Sequence, residues 1–364
     1  MSEKTKIQWT DHTFNPWIGC AKVSPGCANC YAEVSTPSRA FGVKWGTGQP
    51  RKRTSASNWK EPVRWNKSAI CALCEEPVTG EARYLHRHGT VIPAMRRPRV
   101  FCASLSDWLD DEVPIEWLAD LLKLIHDTPH LDWQLLTKRP ENFRRRLHQV
   151  CHEAKSELAV RWHMLQEAPS NVWIGTTVED QERAEERIPA LLKIPARVRF
   201  LSVEPLLGEV NLDLVEDGRE SEDERSWAKP TERGCGIDWV IVGGESGNKA
   251  RLCNVEWIRS VVHQCQAAGV ACFVKQLGAH PATRFHLSPD KDGWPEHVGF
   301  SLPVADERIV KLEHPKGGDM EEWPEDLRVR EHPVPAEERA VLGWDERGEP
   351  LATDGTRMNT DSHG

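Results

Sequence analysis

The stretch Trp239-Val240-Ile241-Val242-Gly243-Gly244-Glu245-Ser246 is followed by Val255-Glu256-Trp257-Ile258-Arg259-Ser260-Val261-Val262-His263-Gln264-Cys265 and then by Ala271-Cys272-Phe273-Val274. The outer two open as short, continuous apolar runs, the pattern of strands buried on both faces. The middle one is apolar at helical spacing, and Asn254 is a starting signal for it. Strand, helix and strand in succession make a βαβ unit, which implies parallel pairing.

Similar runs recur upstream at Phe14 to Gly19, Arg99 to Ser104, Trp133 to Thr137, Val172 to Thr176 and Val198 to Val203. A helical pattern from Pro114 to Ile125 lies between two of them. The expected fold is therefore α/β, a partial TIM-type (β/α) barrel of about six to seven parallel strands, with a doubly wound open sheet as the alternative. The barrel domain is expected to span residues 1–285. It would carry a Cys-containing insertion at about 35–98 after the first strand and a charged, mobile loop at 216–236. Residues 286–364 read as a polar C-terminal extension, partly disordered.

In a parallel barrel the residues just after the strands share one rim, where active sites are built. Here they are Cys20, Ser104, Ser106, Asp107, Lys138, Arg139, Glu179, Glu204, Gly243, Gly244, Glu245, Lys275 and Gln276. Their plain structural reading is that they cap helices and satisfy strand ends.

The 364 residues carry 47 Lys plus Arg against 56 Asp plus Glu, a net charge of -9. That balance argues against binding a polyanion by bulk electrostatics and leaves room for a local basic groove. The start of the chain has no apolar signal-peptide core, and no run is long enough to span a membrane, so a cytoplasmic protein is expected. In a reducing compartment the 11 cysteines read as metal ligands or reactive thiols rather than as disulfides.

Three of them lie in Gly19-Cys20-Ala21-Lys22-Val23-Ser24-Pro25-Gly26-Cys27-Ala28-Asn29-Cys30-Tyr31-Ala32, a C-x6-C-x2-C loop rich in small residues that is free to wrap around one inorganic centre. Structural zinc takes four ligands, so zinc would require a fourth from elsewhere. A [4Fe–4S] cluster on three thiolates keeps one iron open to a small molecule. Buried thiols and a zinc knuckle are the alternatives.

The sequence resembles a family of bacteriophage- and prophage-encoded proteins of unknown function that carry an N-terminal three-cysteine motif and look like radical S-adenosylmethionine (SAM) enzymes. The resemblance rests on Ile7-Gln8-Trp9-Thr10-Asp11, Phe14-Asn15-Pro16-Trp17, Gly19-Cys20, Ser24-Pro25-Gly26-Cys27, Cys30-Tyr31-Ala32-Glu33, Ser106-Asp107, Leu136-Thr137-Lys138-Arg139-Pro140, Phe200-Leu201-Ser202-Val203-Glu204-Pro205-Leu206, Trp239 to Gly247 and Val274-Lys275-Gln276. It implies a radical-SAM-like partial barrel with a [4Fe–4S] cluster on Cys20, Cys27 and Cys30 and with SAM at the open iron. An electron-donor protein would drive reductive cleavage of SAM and start radical chemistry on a substrate the resemblance does not name. For a phage-encoded chain the compartment is the host cytoplasm. Radical SAM enzymes commonly use C-x3-C-x2-C, and the first gap here is longer. Their Gly-Gly-Glu follows the second strand, whereas Gly243-Gly244-Glu245 follows the sixth, so its role does not transfer.

SAM presents an ammonium, a carboxylate and ribose hydroxyls, which want acceptors, a cation and acidic acceptors respectively. Ser104, Ser106 and Asp107 are candidates for its amino-acid end, Glu179 and Glu204 for the ribose, and Lys138 or Arg139 for a carboxylate or a substrate phosphate. Gly243 and Gly244 permit close approach of a ligand. Tyr31 is placed to stack near the adenine or simply to pack the loop, and Trp9 and Trp17 to shield a cluster from solvent. A second candidate metal site is Cys71 and Cys74 with His86 and His88, within 69–90, suited to a structural zinc. The basic run Arg144-Arg145-Arg146 is a candidate contact for a nucleic acid substrate, or a solvated helix face. The competing functions are a zinc protein on a barrel scaffold, and a cluster protein with an electron-transfer or sensing role.

Overall fold

A computed structural model describes residues 5–71, 77–78, 95–214, 227, 236–285, 306–309 and 312–333. Its main unit covers 1–68 and 97–333. Seven parallel strands build it: β1 (His12–Phe14), β2 (Arg99–Cys102), β3 (Asp132–Thr137), β4 (Val172–Thr177), β5 (Val198–Val203), β6 (Trp239–Gly243) and β7 (Ala271–Gln276). They lie side by side in chain order and curl into a half-barrel. A doubly wound sheet would reverse its order at a switch point; this one does not reverse.

Alternation along the strands explains why the runs are apolar at every position. Val100, Cys102, Trp133, Leu135, Ile174, Leu201, Val203, Val240, Val242, Cys272 and Val274 join one core with helix residues such as Leu118, Leu121, Ile188, Ile258 and Val262. Phe101, Trp173, Val198, Phe200, Trp239, Ile241 and Phe273 point the other way into a second, largely aromatic cluster. Trp9 completes that cluster, with ring centroids 4.6 Å from Phe101 and 6.0 Å from Trp239. It therefore fills the concave face beside the strand starts rather than flanking the cysteine loop. Trp17 packs 6.4 Å from Trp117 in the helix-side core.

The helices follow from their capping residues. Helix α1 (Thr36–Ala40) and α2 (Ala56–Trp65) fall in the first crossover, and α3 (Ile115–Asp127), α4 (Phe143–Glu153) and α5 (Gln181–Leu192) in the next three. In α6 (Val255–Ala268) the Asn254 side chain accepts from the Glu256 amide, and Gly269, at φ 68°, ends the helix in the left-handed conformation that glycine adopts without penalty.

Two places depart from the sequence expectation. The run Phe14 to Gly19 is not one strand: the sheet strand ends at Phe14, and Trp17–Ile18 pairs antiparallel with Lys52–Arg53. Pro16 has no amide to continue a ladder, and Asn15 Oδ1 instead accepts from the Leu105 amide at 2.7 Å. Residues 312–333, polar in composition, pack on the barrel: Trp323 and Leu327 are buried in the helix-side core. The Val274 amide donates to Val329 O and the Glu331 amide to Cys272 O, at 2.9 and 2.8 Å, so this segment covers the free edge of β7.

A second unit, described by itself, comprises 69–96 and 334–364. Its short strands Ala69–Cys71, Pro77–Val78 and Met95–Arg96 pair antiparallel. Cys71 ends the first of them; Cys74, His86 and His88 lie outside the described residues, as does the charged loop apart from Trp227 and Gly236. Among the described residues no helix is long and apolar enough to cross a membrane.

Gly175, in the middle of β4, makes room for an aromatic ring: a Cβ there would lie 2.5 Å from Phe200. Gly175→Ala is expected to cost about 1–3 kcal/mol by overpacking, read as a lower urea midpoint, and Phe200→Leu in the same chain should recover part of the loss.

Candidate active site at the strand-end rim

The chain leaves the sheet after β1 and enters the cysteine loop, which holds the 3-10 turn Pro25–Cys27 and a turn closed by the Glu33 amide on Cys30 O at 3.2 Å. Gly19 bridges to Ser106, and its amide donates to Leu105 O at 3.1 Å, so the loop starts against the end of β2. Three carboxylate–arginine pairs from the rim then hold it in turn.

The first is Asp107 with Arg139, both buried and 2.9 Å apart. Asp107 accepts four hydrogen bonds, from the Leu109 and Lys138 amides, the Thr137 hydroxyl and Arg139 Nη1. Arg139 reaches on to Cys20 Sγ at 3.5 Å and to Ala21 O at 2.7 Å. The second is Glu179 with Arg187, 2.7 Å apart and fully enclosed; the other Glu179 oxygen accepts from the Ser24 hydroxyl. Gly26 sits so close that a Cβ would lie 2.6 Å from Glu179 Oε1. The third is Glu245 with Arg251, joined by two side-chain bonds of 2.7 and 2.9 Å. Glu245 also accepts from Asn29 Nδ2 at 3.2 Å, and Arg251 donates to Pro25 O at 3.0 Å.

Other rim groups are spent more locally. Ser104 O accepts from the Tyr31 hydroxyl at 2.8 Å, the Ser104 side chain meets Asn15, and Ser106 Oγ donates to Trp17 O. Gly243 and Gly244 give close approach to the protein's own backbone: Cβ atoms there would lie 2.9 Å from Gln276 O and 2.4 Å from Leu277 O. Lys138 Nζ donates to Thr177 Oγ1 at 3.0 Å. Glu204 pairs with both its oxygens to Lys275 Nζ, at 2.7 and 2.8 Å, and accepts from Gln276; no bond ties it to the cysteine loop.

The thiols differ in acidity. Burial, with the Asp107 carboxylate, pushes Cys20 up to about 12 despite Arg139. Burial also opposes ionisation of Cys27, but Lys138, hydrogen bonds from the backbone at Val23 and Ser24, and the Ser24 hydroxyl outweigh it and bring the thiol below its ordinary value. Cys30 packs beside Ile18, Ala32 and Leu105. Among the described residues no group of three or more His, Cys, Asp or Glu side chains is drawn into a metal-holding arrangement.

The family described as "Protein of unknown function (DUF5131)" matches residues 4–322. The chain belongs to this family. No curated protein and no solved structure matches it. The DUF5131 match spans the three cysteines and every rim residue named above.

Sequence reasoning missed Arg187, Arg251, Ser24 and Asn29. Arg187 had a signal: it occupies an apolar position on α5, with Ala184, Ile188 and Leu191, and a charged residue in a buried stripe implies a partner. Arg251 and Asn29 lie in loops with no periodicity to read.

Two outcomes follow. Asp107→Ala leaves Arg139 buried without its counter-ion and should cost roughly 3–5 kcal/mol in urea unfolding, with part recovered in Asp107→Ala/Arg139→Met. Glu245 is pulled below its ordinary 4.5 by Arg251 and Asn29 against the opposing effect of burial. Its contribution is complete above that value and fades as pH falls through the lower folded-state pKa. The gap in denaturation midpoint between wild type and Glu245→Gln should therefore be wide at pH 7 and close on acidification.

Proposed function

We propose that the protein is a radical SAM-type enzyme in which Cys20, Cys27 and Cys30 hold a [4Fe–4S] cluster and SAM is the co-substrate. The observation that carries this reading is the seating of one three-thiol loop across the strand-end rim, held from β2, β3, β4 and β6 together. When bound, the cluster supplies the electron that cleaves SAM reductively.

The surroundings of the thiols support the donor set. Lys138 and N–H donors stand against the sulfur of Cys27, the environment that favours a thiolate ligand, and Arg139 Nη1 lies 3.5 Å from Cys20 Sγ. The loop contains only short turns, which leaves its three thiols free to converge on a cluster. Arg139 orients Cys20, while Glu179 and Glu245 fix the loop on either side of Cys27 through Ser24 and Asn29. Glu204 and Lys275 present opposite charges side by side, free of the loop, and match the ammonium and carboxylate of SAM; Lys138 is a second cation at the same rim. Tyr31 is anchored by its hydroxyl with its ring exposed, available to adenine. A reducing cytoplasm, that of the host if the gene is phage-borne, would keep the thiols free, and an electron-donor protein would complete the cycle.

Anaerobic reconstitution followed by iron, sulfide and zinc analysis tests the reading. About four irons and four sulfides per chain are expected, as is release of 5'-deoxyadenosine from SAM on reduction, abolished in Cys27→Ala. Zinc without sulfide after reconstitution would overturn it in favour of a zinc protein, and a cluster that never cleaves SAM would point to electron transfer or sensing.

A further inference from the structure

The basic run Arg144-Arg145-Arg146 is not a free polyanion surface. Arg145 pairs with Asp111, and Arg146 is buried and donates to Val113 O at 2.5 Å. A different segment has the required character. From Val34 to Lys60 the chain carries six Lys or Arg and no Asp or Glu, in a protein of net charge -9. Arg51 and Arg53 are spent on Asp110, Glu112 and Asp120. Arg39, Lys44, Lys52 and Lys60 are exposed and have no ion pair among the described residues.

Aromatic rings point to the same place. Among the described residues only two Phe, Tyr or Trp rings are exposed, Tyr31 at 56% and Phe41 at 59%. Both lie in the segment that leaves Cys30, with Arg39 and Lys44 between and beside them. That segment folds back on the cysteine loop: the Ser38 hydroxyl donates to Ala32 O at 2.7 Å, and the Gly46 amide donates to Cys20 O at 3.1 Å. The Tyr31 hydroxyl is tied to Ser104 O, so its ring is a fixed platform rather than a swinging one.

We propose that the Tyr31–Lys44 surface, beside the three-cysteine loop, binds single-stranded nucleic acid, with Tyr31 and Phe41 stacking on bases and Arg39 and Lys44 meeting phosphates. Exposed rings interleaved with unpaired cations are what a flexible strand with π-faces and regular charge requires. This names the substrate class for the site and rests on the reading of that site as an active centre. The binding itself does not require SAM chemistry and is tested without it.

The full-length protein is titrated, without SAM, into 5'-fluorescein-labelled 20-mers of dT and U and into a 20-base-pair DNA duplex, with fluorescence anisotropy as readout at 50 and 200 mM salt. Either or both single strands should bind, with affinity that falls steeply with salt, and the duplex more weakly. Phe41→Ala should weaken single-strand binding about tenfold by loss of stacking. Arg39→Glu/Lys44→Glu should weaken it at least tenfold and flatten the log–log salt slope by about 1.4, two phosphate contacts at ~0.7 each. Arg144→Glu, on the exposed part of the α4 run, should bind as wild type. All four positions are exposed, and unchanged melting temperatures would confirm intact folding. No single-strand binding at micromolar protein and 50 mM salt would overturn the proposal and leave a protein partner as the reading of the surface. Equal loss in Arg144→Glu, or no effect of Phe41→Ala, would overturn it as well. Binding without SAM cleavage by the reconstituted protein would keep this proposal and sink the enzymatic one.

Discussion

Pairing a buried carboxylate with an arginine at a strand end is the interaction on which the rim depends, and it is used three times. Asp107–Arg139, Glu179–Arg187 and Glu245–Arg251 each keep one hydrogen-bonding face for the cysteine loop. A buried ion pair gains little over apolar packing in net stability, because desolvation offsets most of the attraction. Its value here is directional. Each pair fixes a donor or acceptor where an irregular loop has an unmatched one: Ala21 O, the Ser24 hydroxyl, and Pro25 O with the Asn29 amide.

That arrangement converts a loop whose own hydrogen bonds are confined to short local turns into a positioned element. Fixing a free loop costs roughly 1–2 kcal/mol per residue in backbone entropy, more than its own short turns return. The rim supplies the difference through enclosed, charge-assisted bonds. Gly26 completes the fit, since a side chain there would occupy the place of the Glu179 carboxylate. The fold thus spends much of its strand-end rim on the loop and leaves Glu204 and Lys275 paired with each other.

The sheet was legible in the sequence because strands buried on both faces write themselves as unbroken apolar runs. Six of the seven runs fall on a sheet strand; the first meets its strand only at Phe14 and breaks at Asn15-Pro16, where the amide-less proline turns the chain. The direction of each side chain was not legible: Trp9 and Trp17 look alike beside the cysteines but enter different cores. Residues 312–333 were also opaque, since they join β7 through backbone groups that composition does not encode. At the rim the residue types were readable and their partners were not. A carboxylate after a strand looks the same whether it awaits a ligand or, like Asp107, already accepts four bonds, and only long-range contacts such as Glu179 to Ser24 tell the two apart.

The thiols show how the same rim gives equal side chains unequal acidity. Arg139 lies against Cys20, yet the Asp107 that holds Arg139 in place also faces that sulfur, so burial and the carboxylate win and the thiol resists ionisation. Lys138, the next residue, carries no such paired acid; its charge reaches Cys27 with backbone and Ser24 bonds to help, and the thiol ionises more readily. One strand end therefore delivers two cations with opposite outcomes: beside Cys20 burial and the Asp107 carboxylate outweigh the charge, and beside Cys27 the charge and hydrogen bonds together outweigh burial. Cys30, the remaining sulfur of the loop, rests against the apolar side chains of Ile18, Ala32 and Leu105, so the three thiols of one loop meet three different surroundings.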